Sequence, residues 1–282
     1  MLSVGTTMRH VRVAVVGHVE WIDFAAVERV PLAGEIVHAY DWWGEPAGGG
    51  GVAAVQLARL AGSANMFTAL GDDALGERSR AGLAELGVTV HAERRAEPTR
   101  RGFTFLDATG ERTITTLGER LAPRGSDALP WAALAQADAV YVTAGDAAAV
   151  RHARAARVLV ATPRAGMVLE AVAADAVVYS AYDALERDVA TSLRPAPALL
   201  VATEGVAGGS WRAADGKEGR WAAATLPGPL VDLFGAGDSF AAGLTYGLGE
   251  RQSVEDALAL AARCGAWCAS GRGPYGGQLR AA

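Results

Sequence analysis

The stretch DLFGAGDSFAAGL (232–244) sets an acid directly behind a glycine-rich turn. Gly235, Ala236 and Gly237 precede Asp238, and Phe240, Leu244 and Leu248 follow at a spacing that predicts a helix beginning near residue 237. The first amides of a helix lack internal partners and lie at the positive end of its dipole. Glycines at 235 and 237 let the chain turn tightly and bring those N–H groups against an anion. A carboxylate beside an anion cradle makes chemical sense if it takes a proton from a nucleophile attacking a phosphoryl group held there. Such a transfer otherwise needs mainly positioning and neutralisation of charge. The stretch alone also allows a plainer role, in which Asp238 only stabilises the helix start by about 0.5–2 kcal/mol.

The elements that would position this loop are legible as an alternation. VRVAVVG (11–17), ANMFTALG (64–71), ADAVYVTAG (137–145), RVLVAT (157–162), ADAVVYS (174–180) and PALLVAT (197–203) read as strands buried on both faces. VAAVQLARLAG (52–62) and GERSRAGLAELG (76–87) carry helical spacing between them. Strands alternating with helices predict an α/β fold, a three-layer sandwich with a mostly parallel central sheet. Two segments break the rhythm. GEIVHAYDWW (34–43) alternates, with Ile36, His38, Tyr40 and Trp42 on one face, and GFTFLDATGERTITTLG (102–118) reads as a hairpin turning at Thr109–Gly110. Together they predict a small antiparallel β lid, with its strands inserted at 18–45 and 98–120 into one α/β domain over 8–282. An edge extension or a dimer surface is the alternative.

The bulk composition narrows the function classes. The 282 residues carry a formal net charge of −5 with no long basic run, which argues against nucleic-acid and anionic-membrane partners. No stretch approaches the roughly 20 apolar residues of a membrane helix, and residues 1–7 read as a loose leader without secretory features. Cys264 and Cys268, one turn apart in an apolar helix, read as a reduced buried pair rather than a metal site. The expected location is cytoplasmic.

DLFGAGDSFAAGL resembles the signature of the ribokinase-type sugar kinases, a family that includes adenosine kinase and the minor phosphofructokinases. Further resemblances stand in family order. PLAGE (31–35) is similar to the entry of the lid strand, GGGGVAAVQLARLAG (48–62) to the first signature, LGDDALG (70–76) to a G-x-D-x-x-G turn, and TEGVAG (203–208) to the loop that lines the nucleotide. The resemblance implies a ribokinase-like fold and an ATP-dependent kinase acting on the hydroxyl of a sugar or related small molecule. It implies Asp238 as the base and Gly235, Ala236 and Gly237 as the anion hole. Thr203, Gly205, Gly208 and Asp232 would serve the nucleotide, and Glu20 or Asp23 together with Gly48 and Gly49 the acceptor. Mg2+ would be organised by Asp183 and Ser180, and GRGPYGG (271–277) stands where the family often lends carbonyls to a monovalent cation. The implied partner is a small-molecule substrate, with a homodimer through the lid as a further expectation.

Departures qualify the match. Ser180 and Asp183 stand in a place that is usually N-x-x-E, Leu233 replaces a threonine, and Val52 stands where a sugar-binding asparagine is usual. Arg100 and Arg101 in PTRRG could hold a phosphate already on the substrate or be solvated surface residues. His18, Trp21, Trp42 and Trp43 could line the pocket or pack. GGGGVA (48–53) also fits a dinucleotide fingerprint, but WWGEPA before it is not a buried strand. A weakened, ligand-binding regulator remains the alternative to an active kinase.

Overall fold

Residues 11–281 are described by a computed structural model. The chain runs β1 (Val13–Val16), β2 (Glu20–Ala26), β3 (Asp41–Ala47), α1 (Gly48–Ala61), β4 (Ala64–Gly71), α2 (Ala74–Glu85), β5 (Val88–Arg95), β6 (Arg101–Leu106) and β7 (Arg112–Leu117). It continues β8 (Ala139–Val142), α3 (Ala147–Ala153), β9 (Val158–Ala161), β10 (Ala176–Ser180), α4 (Ala184–Ser192), β11 (Leu199–Thr203), β12 (Gly209–Ala213), β13 (Glu218–Trp221), α5 (Ala236–Gly249) and α6 (Val254–Ala269). The leader at 1–7 lies outside the described residues.

A nine-stranded sheet in the order β13-β12-β11-β10-β9-β8-β1-β4-β5 forms the middle layer. From β11 to β5 the strands are parallel, and β12 and β13 extend one edge as an antiparallel pair. The Val-rich β1 and β8 are buried throughout, because helices cover both faces of a parallel sheet. One core joins α1, α2, α5 and α6 to the sheet and the other joins α3 and α4 to its opposite face, so the three layers are as expected. Helix starts follow side-chain chemistry. Asp73, Asp146, Asp183 and Ser253 each cap a helix by accepting from an amide of its first turn.

The second sheet has the order β3-β2-β6-β7. Both of its edge pairings are antiparallel and its central pairing, β2 with β6, is parallel. The hairpin expected about Thr109–Gly110 is present. The strand expected over 34–43 starts only at Asp41, and Ile36 and Tyr40 are exposed. The register supplies the reason: Asp41 pairs with Ala26, the last residue of β2, so 34–40 has no strand to lie against. The lid packs on the main body through Phe24, which stacks on Trp43 and meets Phe234 edge-on with ring centroids 4.9 Å apart. WWGEPA does form a strand, but one in the lid sheet rather than the buried parallel strand a dinucleotide fingerprint requires. β5 was not legible as a strand, because only its first residue is fully buried at the sheet edge. Among the described residues no helix is long and apolar enough to cross a membrane.

Candidate active site

The carboxyl ends of the parallel strands, where α/β sheets place ligands, carry the candidate residues. β1 ends at Val16, and a Cβ on Gly17 would stand 2.0 Å from Thr143 Oγ1, so only glycine fits this turn. His18 follows. Its Nε2 accepts from the Gly49 amide at 3.3 Å, which leaves the proton on Nδ1 to donate to Thr143 Oγ1 at 3.3 Å. Burial, reinforced by the charges of Arg120, Arg100 and Arg164, pushes the His18 pKa down to about 3, so the ring is neutral. Glu20 lies 3.7 Å from that ring and 3.2 Å from Arg100 Nη1, and is itself buried.

The glycine run that opens α1 lets this cluster close. A Cβ on Gly48 would crowd His18 and Glu20, and Gly48 adopts a left-handed φ of +77°. On Gly49 it would stand 2.8 Å from Asp238 Oδ1. Gly48, Gly49, Glu20 and Asp238, spread over the sequence, are therefore neighbours.

Asp238 lies in the first turn of α5. The cap is Gly235, left-handed at φ +79°, and no side chain caps the helix, so the plain capping role does not describe Asp238. Among the described residues its carboxylate has no hydrogen-bond partner, and the Gly237 and Asp238 amides make no backbone hydrogen bond. The Ala236 amide makes a long one, 3.4 Å, to Leu233. Burial raises the Asp238 pKa to about 6, against the opposing charges of Arg164 and Arg112. The loop thus presents free amides beside an unpartnered acid close to neutrality.

Asp232 is buried and ties the loop together. Its oxygens accept from Phe234 N at 2.8 Å and from Gly273 N, in the last loop, at 2.7 Å. Burial raises its pKa too. Thr203 ends β11, its hydroxyl donating to Tyr179 O at 3.3 Å. Gly205 faces open space, whereas a Cβ on Gly208 would stand 2.1 Å from Trp221 O, so Gly208 is fixed by the strand pair β12–β13.

The expected metal residues are already engaged. Asp183 accepts from the amides of Leu185 and Glu186 and pairs with Arg164 at 3.2 Å, and Ser180 Oγ accepts from Tyr182 N at 3.3 Å. A carboxylate not anticipated from the sequence joins them. Glu186 is buried, accepts from Ser180 N at 2.8 Å and pairs with Arg164. One or two carboxylates with a hydroxyl at a strand end fit the way magnesium is held, alongside waters and phosphates.

Other candidates separate. Asp23 lies on the opposite face of β2 from Glu20, where it accepts from Arg101 at 2.6 Å and Trp21 Nε1 at 3.1 Å. Arg100 thus turns to Glu20 and Arg101 away from it. Trp42 is 76% exposed, Trp43 stacks under Arg272, and Val52 is wholly buried. Arg120 and Arg164 were not anticipated. The signal for Arg164 was its position just beyond β9, at the ligand end of a parallel strand. Cys264 and Cys268 are buried free thiols, both pushed by burial up to about 12.

Comparison with known proteins agrees with this architecture. The model of the pfkB family carbohydrate kinases matches residues 11–204 and 182–280. A ribokinase from Giardia lamblia superposes with a TM-score of 0.77 at 17% identity, over 96% of this chain and 96% of that one. The Arabidopsis thaliana ribokinase complexed with ribose and ATP gives 0.74 at 19% identity over 94% of each chain. An adenosine kinase from Sinorhizobium meliloti gives 0.71 at 19% identity, over 94% of this chain and 96% of that one. A search of curated proteins found no match.

Proposed function

The chain belongs to the pfkB family of carbohydrate kinases, and on that premise we propose that it is an ATP-dependent phosphotransferase acting on a hydroxyl of a sugar or related small alcohol. The observation that carries the reading is Asp238, an unpartnered carboxylate with a pKa of about 6 beside free helix amides. The acceptor oxygen attacks the γ-phosphorus, and its proton passes to Asp238. The bond from γ-phosphorus to the bridging oxygen breaks, and ADP leaves with that electron pair.

The Gly235-Ala236-Gly237 loop receives the charge that develops on the transferring phosphoryl oxygens. Thr203 and Gly205 line the nucleotide, and Gly208 sets the turn that holds Gly205 open. Asp232 positions the loop by joining it to Gly273. Glu20, Gly48 and Gly49 meet the acceptor, while Asp23 braces the lid through Arg101. Magnesium, when bound, neutralises phosphate charge. Asp183, Ser180 and Glu186 would hold it or its waters. A monovalent cation, if used, would be held by carbonyls of the 271–277 loop, which Asp232 fastens through the Gly273 amide. The exposed Ile36, Tyr40 and Trp42 beside the lid support a homodimer, which sedimentation would test. The buried free cysteines favour a cytoplasmic setting.

ADP release from Mg-ATP across sugars, sugar phosphates and nucleosides tests the reading, with Asp238→Asn alongside. Acceptor-dependent release that the variant abolishes is the expected result. Release that survives in the variant overturns the assignment of the base, and failure to bind ATP overturns the reading altogether.

A further inference from the structure

The two ring nitrogens of His18 hold two different parts of the site. His18 follows β1, and Thr143 follows the neighbouring β8, whose Val142 pairs with Val16. Thr143 Oγ1 accepts from the His18 amide at 3.4 Å and lies 3.3 Å from Nδ1. Nε2 accepts from the Gly49 amide at 3.3 Å. Gly49 belongs to the first turn of α1, where amides have no partner inside the helix. The cap position is Ala47, whose side chain cannot accept. His18 therefore supplies from the β1 side the acceptor that this helix start lacks.

The same glycine lies against the proposed base. A Cβ on Gly49 would stand 3.6 Å from His18 Cε1 and 2.8 Å from Asp238 Oδ1. The neighbouring glycines let the helix start close on the ring. A Cβ on Gly48 would stand 3.1 Å from His18 Cδ2, and one on Gly50 2.5 Å from His18 O. Gly49 thus carries one N–H beside two acceptors, the imidazole lone pair that holds it and a carboxylate with no hydrogen-bond partner among the described residues. Buried amides are almost always paired, so an N–H released by the ring would turn to the acid. A hydrogen bond there would favour the charged carboxylate and occupy a lone pair that the incoming proton needs.

The ring is suited to keep this donor. Burial, and then the charges of Arg120, Arg100 and Arg164, hold it neutral. Glu20 Oε1, 3.7 Å from Nε2, is engaged by Arg100 at 3.2 Å. Arg164, Arg112, Glu186 and Glu20 act on Asp238 by charge alone.

We propose that His18 is a positioning residue: by retaining the Gly49 amide it keeps that donor off Asp238 and leaves the carboxylate open to the proton of the acceptor. The inference rests on the phosphotransferase reading for the role of Asp238 as base.

The test compares wild type with three variants. His18→Leu removes both nitrogens and keeps the bulk. His18→Gln can place an oxygen where Nε2 accepts, whereas His18→Asn reaches only as far as Thr143. Carbon NMR follows the Asp238 carboxyl against pH, its resonance assigned by loss in Asp238→Asn, and kcat is measured over the same range. In wild type and His18→Gln the carboxyl should titrate near pH 6. In His18→Leu and His18→Asn it should titrate about one pH unit or more lower, and the acid limb of kcat should move with it. At alkaline pH, kcat of these two should fall about 5- to 50-fold while the KM for ATP stays within a few-fold. If His18→Leu does not fold, the Gln and Asn variants carry the same comparison. In wild type, nitrogen NMR should find Nε2 without a proton. A carboxyl that titrates alike in all variants, restoration by Asn as complete as by Gln, or a proton on Nε2 would overturn the proposal while leaving the kinase standing. A titration that shifts as expected in a protein that turns over no acceptor supports the contact and removes the phosphotransferase reading.

Discussion

The two halves of the cleft are made of different material. On the side proposed for the nucleotide, the β11 loop and the start of α5 offer bare backbone, with Gly205 facing open space and the Gly237 amide unpaired. On the side proposed for the acceptor, the site is a set of ionisable side chains packed against one another, with Glu20 and His18 buried beside Arg100. Backbone amides bind any phosphate in much the same way, whereas buried charges bind only what completes their balance. On the proposed reading, nucleotide use would follow from the loop geometry and acceptor choice from a few replaceable side chains.

The sharpest way to break this contrast lies where the halves meet. Asp238→Asn should lower kcat by about 10²–10⁴-fold with ATP binding retained, and a loss under tenfold would remove Asp238 from proton transfer. The same variant carries a stability signature. Because burial holds the folded pKa near 6, above the ordinary 3.8, the acid favours folding fully below about pH 4 and that contribution is lost as pH rises through 6. The asparagine variant should therefore be more stable than wild type by about 2–3 kcal/mol at pH 8, with the difference gone by pH 4 in denaturant titrations. Activity of the wild type should fall as pH drops below about 6.

Gly208→Ala should cost about 2–4 kcal/mol of folding stability, since its φ is +81° and Trp221 O blocks a Cβ. Gly49→Ala should lower kcat about 10- to 100-fold by displacing Asp238, with thermal unfolding little changed, because a small misplacement of the base is expensive. Gly205→Ala should cost only about 1 kcal/mol, for φ alone at +58°. If the Gly208 and Gly205 variants behave alike, close packing is not what fixes the nucleotide loop. The smallest effect belongs to His18, whose ring resonances should not titrate between pH 8 and 5.

The same division explains what could be read from the sequence. The backbone half was legible because glycines at fixed offsets before a helix carry their geometry with them, as in Gly235, Gly237 and Asp238. The parallel sheet was legible because buried strands read as apolar runs. The charged half was legible only in part: Glu20, His18 and Arg100 stood as separate candidates, and Arg120 and Arg164 join their surroundings only after β1, β6, β7 and β9 are placed. Nothing local distinguishes Arg120 from the solvated arginines around it. Arg100 and Arg101 show the difficulty at its smallest scale, because adjacent residues at a strand entrance face opposite ways and only the pairing of β2 with β6 decides which. Glu186 was obscured similarly, by Asp183 three residues earlier in a motif position that the fold uses for a helix cap.

One contact between the lid and the main body bears on fidelity. Leu233 N donates to Gly110 O at 3.2 Å, so the tip of the β6–β7 hairpin rests on the loop that leads into the anion cradle. While that contact holds, the hairpin tip and the loop that precedes Asp238 are tied to each other. On the proposed kinase reading, such a tie would let the seating of the tip influence how freely water reaches the cradle, through a single backbone hydrogen bond in the loop that leads to the proposed base.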